Sequence, residues 1–392
     1  MSAKSIWSTI AIRAAAIALV AAAGSCSSDG KSSESDAGGD ADADADSDAD
    51  SDADTDTDAD TDTGTGEECV PVEESPWLEP DDISFLEIDP PLAGSFIYYG
   101  VWGSGGADSL EMISPDGQQS GTRFEVHRLW SFGAAHDGKT IAFSSLDPYQ
   151  QEHWCLALGD AIQYSWLWEP GSEPMQITSG AINDECHLFS ADDSTLYLCR
   201  RANFWQQTGP DGVEFGNDPY RILTHELGSG EESWLTPLAE GVDDIGPALR
   251  ADGSILFWRQ TFEGGTPVQT LMEMESDGSA LSEVLEGATN PVTSPDGSQL
   301  LFRMSWRELR LGDAGDPAAA TTIVDGEEDM ILDYDFSPAA DRVVYTRGRQ
   351  DASCSDIWVA QIDGSDQTQL VDCVEQDAFV SGVQWVEVAE QN

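Results

Sequence analysis

"TSPDGSQLLF" occupies residues 293–302, a Ser-Pro-Asp-Gly turn and two polar residues followed by a short apolar run. Worn copies recur as "AAHDGKTIAF" (134–143), "FSADDSTLYL" (189–198), "LRADGSILFW" (249–258) and "FSPAADRVVY" (336–345). The centre of each is turn chemistry: Asp bonds its own backbone, and Gly tolerates positive φ. The Leu/Ile/Val/Tyr/Phe run that follows has strand composition. Each copy therefore reads as a β-hairpin.

A second phrase alternates with the first: "SLEMISPDGQQSGTRFEV" (109–126), "SWLWEPGSEPMQIT" (165–178), "YRILTHELGSGEESWLT" (220–236), "TLMEMESDGSALSEVL" (270–285), "ELRLGDAGDPAAATTIV" (308–324) and "DIWVAQIDGSDQTQLV" (356–371). Each is strand, Gly-centred turn, strand. The pair recurs every 43 to 59 residues, counted from Gly138, Ser194, Gly253, Gly297 and Ala340. Four strands per period of roughly 40–50 residues is the signature of a β-propeller blade. Five complete hairpins of the first kind accompany six of the second. The unmatched one is preceded by a lone strand, "GSFIYYG" (94–100), and the chain closes on another, "FVSGVQWVEV" (379–388). Together these supply the missing hairpin, with the C-terminal strand innermost in the first blade, and the ring loses its exposed edges. The expected fold is an all-β, six-bladed β-propeller closed by its N- and C-terminal strands.

Over about residues 94–388 these phrases resemble the Pro-Asp-Gly, WD40-like repeats of TolB-like periplasmic β-propellers. "SPDG" at 294–297 matches well, while "SPAA" (337–340) and "SADD" (190–193) depart from the pattern. TolB itself has an α/β domain before its propeller. An acidic segment stands in that place here, so the resemblance implies the propeller and not a TolB-specific role.

Residues 1–26, "MSAKSIWSTIAIRAAAIALVAAAGSC", carry a basic start and an apolar stretch too short to span a bilayer after Arg13. They read as a bacterial signal peptide (1–25). The "AGSC" ending resembles a lipobox, in which Cys26 becomes the lipidated N-terminus and the membrane anchor. Plain secretion is the alternative. Ser27 in place of a retention Asp favours the outer membrane, so the expected location is the cell envelope, periplasmic or surface-exposed. Residues 26–68 form an acidic linker. Between Asp36 and Asp62 it holds thirteen Asp and no basic residue, a composition that cannot offset the entropy of ordering. The propeller domain is assigned to 69–392.

The formal net charge is −57, and from Glu67 onward 59 acids against 14 bases still leave −45. Such a surface repels phosphate backbones, which excludes nucleic acid as a partner. It attracts cations and stays soluble at high salt. Adaptation to salty surroundings is the plainer reading, a dedicated cationic ligand the sharper one. With Cys26 lipidated, six cysteines remain in an oxidising compartment. Cys186 and Cys199 flank one hairpin turn and Cys354 and Cys373 another, which leaves Cys69 for Cys155. Free buried thiols are the alternative for each pair.

No GxSxG elbow, CxxC or HExxH is present, and the five His are scattered. No catalytic residue, metal or cofactor is therefore assigned, and no enzyme is expected. One positional pattern stands out. Six residues past the turn lie Arg200, Arg259 and Arg303, with Arg347 one place later in a fourth repeat, and aromatic-bearing loops follow. Two readings stay open. Arg200, Arg201, Trp205, Arg259, Arg303, Trp306 and Arg347 line an entrance for an anionic peptide or glycan. Alternatively each Arg pairs with an acid of a neighbouring blade and locks the repeat. A monomer that binds envelope proteins is expected, with glycan or peptide capture as the alternative and a propeller hydrolase or lyase third.

Overall fold

The computed structural model describes residues 77–89, 93–102, 107–148, 162–209, 212–349, 354–376 and 379–389. The signal peptide, Cys26, the acidic linker and the Cys69–Cys155 pair lie outside these residues. No helix among them is long and apolar enough to cross a membrane.

The described chain is a succession of four-stranded antiparallel units. The first contains β1 (Leu86–Glu87), β2 (Gly94–Trp102), β3 (Ala107–Ile113) and β4 (Ser120–His127). The second is β5 (Leu129–Ala134), β6 (Ile141–Leu146), β7 (Gln163–Trp168) and β8 (Met175–Gln176). In the third, β9 (Asn183–Phe189) and β10 (Thr195–Arg201) are followed by a separate hairpin, β11 (Trp205–Gly209) and β12 (Gly212–Gly216), before β13 (Arg221–Glu226) and β14 (Glu232–Trp234). A single parallel bridge, Gln163 to Asn183, joins the second and third units into one larger sheet. The fourth runs β15 (Asp243–Leu249), β16 (Ile255–Glu263), β17 (Thr266–Met274) and β18 (Ser282–Glu286). The fifth runs β19 (Thr289–Thr293), β20 (Gln299–Ser305), β21 (Glu308–Asp313) and β22 (Thr321–Asp325). The sixth runs β23 (Met330–Phe336), β24 (Arg342–Gly348), β25 (Ser355–Gln361) and β26 (Thr368–Val371). Last, β27 (Phe379–Val388) returns to pair antiparallel with β2, giving the first sheet the order β1-β4-β3-β2-β27.

The core lies between the units, because strand side chains alternate faces. Along β2, Phe96 and Tyr98 pack toward Phe143, Trp166 and Trp168 of the second unit. Ile97 and Tyr99 pack the other way, toward Val344, Ile357 and Val359 of the sixth. Equivalent apolar clusters fill the remaining junctions: Ala142 with Leu196, Ile222 with Phe257, Leu256 with Phe302, and Leu301 with Val343. The first strands also touch in a cycle, β27 to β5, β9, β15, β19, β23 and back to β27. Each fully buried apolar side chain contributes about 1.5–3 kcal/mol, so these double-faced sheets are held chiefly by their neighbours.

Polar side chains fix the returning strand. The Gln384 amide bonds both backbone groups of Ala134, accepting from its N–H (2.6 Å) and donating to its carbonyl (3.2 Å). On the other side, Asp333 accepts from the Gly382 N–H (3.0 Å) and Asp335 from the Trp385 N–H (2.8 Å). Burial pushes the Asp335 carboxyl up to about 7, against the pull of the Trp385 and Phe336 N–H donors. Before the repeats, residues 77–89 lay Leu78, Ile83 and Phe85 onto the junction of the first two units.

The turns explain why the repeat survives in worn form. In "SPDG" the Ser294 hydroxyl donates to Asp296 (2.7 Å), which also accepts from the Ser298 N–H (3.0 Å). These bonds hold the Asp296 carboxyl down to about 2. Gly297 takes φ +70° where a Cβ would meet the Ala251 backbone nitrogen at 2.2 Å. The departing copies keep the same backbone at a steric cost: Asp193 and Ala340 occupy the Gly place at φ 56° and 54°.

Both hairpin disulfides are present, Cys186–Cys199 and Cys354–Cys373. The first pair is not directly opposite. The register sets Cys199 against Glu185, and a bulge next to it carries Cys186 at φ 61°.

Candidate functional site

The arginine pattern lies alongside the starts of the first strands, near the ends of β10, β20 and β24 and midway along β16, which runs on to Glu263. The register pairs Arg200 with Asp184, Arg259 with Asp244, and Arg347 with Ile331. Hairpin turns close over five residues in four repeats, as in Ser190 to Thr195, but over four from Arg250 to Ser254. Two one-residue differences correct the count along the sequence: Asp193 rather than Ser194 holds the Gly place of the second copy, and the turn after Arg250 is one residue shorter. Measured from the first paired residue, Arg200, Arg259 and Arg347 are equivalent, and Arg303 is displaced by one place. A one-residue displacement sends a strand side chain to the opposite face.

The contacts follow this split. Arg200, 6% exposed at its side chain, meets fully buried Asp184 through Nε (2.5 Å) and Nη2 (3.0 Å), and Glu232 through Nη1 (2.5 Å). Burial alone would lower the Arg200 guanidinium, but the two carboxylates reverse this and hold it raised. Burial alone would raise Glu232; bonds from His225 and Arg200 override it and bring it down to about 2. Arg259 grips Asp244 with two bonds (2.7 and 2.9 Å), and Arg347 donates to Asp329 (2.9 Å). Arg200 and Arg259 clamp their own units, and Arg347 also donates to the Gly326 carbonyl (3.2 Å) just after β22 of the fifth. Arg303, on the other face, reaches the next unit: its Nη1 donates to the carbonyls of Ile331 (2.8 Å) and Leu332 (3.0 Å). Its guanidinium lies 4.4 Å from the Trp306 ring centre, and burial lowers its proton affinity. Arg201 also crosses units, 3.5 Å from Asp243, with its guanidinium 4.0 Å from the centre of the Tyr220 ring. The backbone of Trp205 opens β11; its side chain is outside the described residues.

At the same end, an arc of half-buried aromatic rings runs along the first strands. Phe379 starts β27 beside Trp102 (ring centres 5.1 Å apart), and Trp102 stacks with Trp130 at the start of β5 (6.1 Å, interplanar angle 20°). Trp130 Nε1 donates to Glu185 Oε1 at 2.7 Å, and the Tyr220 hydroxyl donates to the same oxygen. Burial, reinforced by Glu185, drives the Tyr220 hydroxyl well above its usual range and keeps it a donor. The arc therefore ends in a carboxylate held by two aromatic donors.

The arc is not legible in the sequence, because its members come from three units and from both ends of the repeat region. A weaker signal was available: "NDEC" (183–186) and "DDIG" (243–246) put Asp184 and Asp244 at matching places. Ser131 and Ser165 also meet His187, at Nδ1 and Nε2, both at 2.9 Å. Burial lowers His187 to about 4 and its side chain is enclosed, so this contact ties the second unit to the third.

No family model matches the chain, and no curated protein does. Solved structures match in fold. A chain in the nidogen/laminin complex is similar over 76% of this chain and 100% of its own, at 9% identity and a TM-score of 0.53. Hydrazine synthase of Kuenenia stuttgartiensis is similar over 77% of this chain and 48% of its own, at 10% identity and a TM-score of 0.53. An oligogalacturonate lyase in complex with manganese is similar over 74% of this chain at 12% identity, with a TM-score of 0.41. The nidogen chain is a β-propeller. This chain has a propeller-type, all-β fold.

Proposed function

We propose that this chain is a non-catalytic binding protein of the cell envelope, anchored by lipid at Cys26 and presenting a closed six-bladed propeller on an acidic linker. The ring reading is supported by the cycle of contacts among first strands and by β27 pairing with β2. The binding reading rests on one observation. The arginines of the candidate face are held in internal contacts, while the rings of Trp102, Trp130 and Phe379 stay part-exposed at the same end. A protein partner docking over aromatic rings and carboxylates fits this face. Capture of an anionic glycan or peptide does not, because the cations it needs are already engaged.

Photo-crosslinking in intact envelopes tests the reading. A crosslinking residue at exposed Asn203, on the aromatic end, is expected to capture a discrete protein; one at exposed Ser298, on a turn at the other end, is not. Capture only from Ser298, or turnover of a glycan or peptide by the purified protein, overturns it. Release of the chain from membranes by Cys26→Ser tests the anchor.

A further inference from the structure

The strongest uncommitted chemistry is Glu185. Its Oε1 accepts from Trp130 and Tyr220, and no cation among the described residues pairs with its carboxylate. The next stretch of the same end already shows what such a constellation holds. There Arg201 lies 4.0 Å from the centre of the Tyr220 ring and 3.5 Å from Asp243, an aromatic face and a carboxylate sharing one guanidinium. The ring half of this seat recurs elsewhere, with Arg303 at Trp306 (4.4 Å) and Arg221 at Trp234 (3.5 Å). A flat cation gains from the ring quadrupole and the carboxylate together.

We propose that the aromatic arc with Glu185 receives an arginine side chain of a basic protein partner. This rests on the binding reading above and names the partner's chemistry. Charge complementarity supports it, since the chain carries −57 overall and would steer a basic segment toward any face. The aromatic arc makes this face specific, because a neighbouring carboxylate without rings offers no stacking.

The test uses the full mature chain and a capped pentapeptide, Gly-Ser-Arg-Ser-Gly, against the same peptide with citrulline, read by tryptophan fluorescence. Saturable quenching by the arginine peptide and at least fivefold weaker binding of the citrulline peptide are expected. Glu185→Gln and Trp130→Leu each reduce affinity at least fivefold with unchanged melting, while Glu283→Gln, at a distant exposed position, does not. Should Trp130→Leu fail to fold, Phe379→Leu replaces it. Equal binding of the two peptides, or equal loss in Glu283→Gln, overturns the proposal as non-specific charge attraction. Saturable quenching by neutral oligosaccharides in place of the peptide overturns it in favour of a glycan site. Either failure leaves the crosslink from Asn203 intact if the broader binding reading holds, so the two are distinguishable.

Discussion

Replacing Arg200 by Gln removes the cation from a carboxylate that has no exposure to water. Asp184 accepts both Nε and Nη2 of Arg200, and its other bond is from the Ser165 hydroxyl at 3.2 Å. Gln is too short and uncharged to replace a bidentate guanidinium, and Glu232 is left with His225 alone. Stripping one member from a buried pair costs about 3–5 kcal/mol, mostly from leaving the other charge stranded. For a domain on the order of 300 residues, with an unfolding entropy of roughly 2.1 cal/mol/K per residue, melting should fall by about 5–8 °C. Differential scanning calorimetry measures this directly. Arg259→Gln should cost less, because its side chain is 20% exposed and serves one carboxylate where Arg200 serves two. Adding Asp184→Asn to Arg200→Gln should recover at least half of the loss, since both charges are then gone. Melting of Arg200→Gln within 1 °C of the parent would refute the clamp and free Arg200 for a ligand.

Acid stability should depend on His187. Lowered to about 4 by burial, against the opposing pull of Asp184, it gives stability fully present above the unfolded value near 6.5. That stability, about 3 kcal/mol, is lost as pH falls from roughly 6.5 to roughly 4. Asp335, raised to about 7 by burial, contributes with the opposite sign over much of the same window, so the check is a difference: urea titrations of the parent should lose about 3 kcal/mol relative to His187→Gln as pH falls from roughly 6.5 to roughly 4. Cys354→Ser with Cys373→Ser opens a crosslink spanning 19 residues and should cost about 3 kcal/mol on chain-entropy grounds, read as a shift in urea midpoint. Gln384→Ala leaves the Ala134 N–H and carbonyl without this amide and should cost about 1–3 kcal/mol, with hydrogen exchange of β27 rising before that of β16. Gly297→Ala meets both positive φ and the Ala251 backbone and should lower melting; an unchanged melt would mean the turns of adjacent units do not touch.

Local chemistry made the hairpins legible. Asp-Gly turns and their worn copies, with the apolar runs after them, mark β6, β10, β16, β20 and β24 without any long-range information, because a turn's bonds lie within five residues. Alternating Phe96, Ile97, Tyr98 and Tyr99 announce a strand buried on both faces, and the hairpin cysteines reveal their pairs. Tertiary structure alone decided what the arginines do. A turn one residue shorter at 250–254 changes which arginines share a face, and no count along the chain registers that. The meeting of Trp102, Trp130, Glu185 and Tyr220 was equally hidden, since these residues are far apart in sequence and are joined only when the first strands of successive units pack side by side.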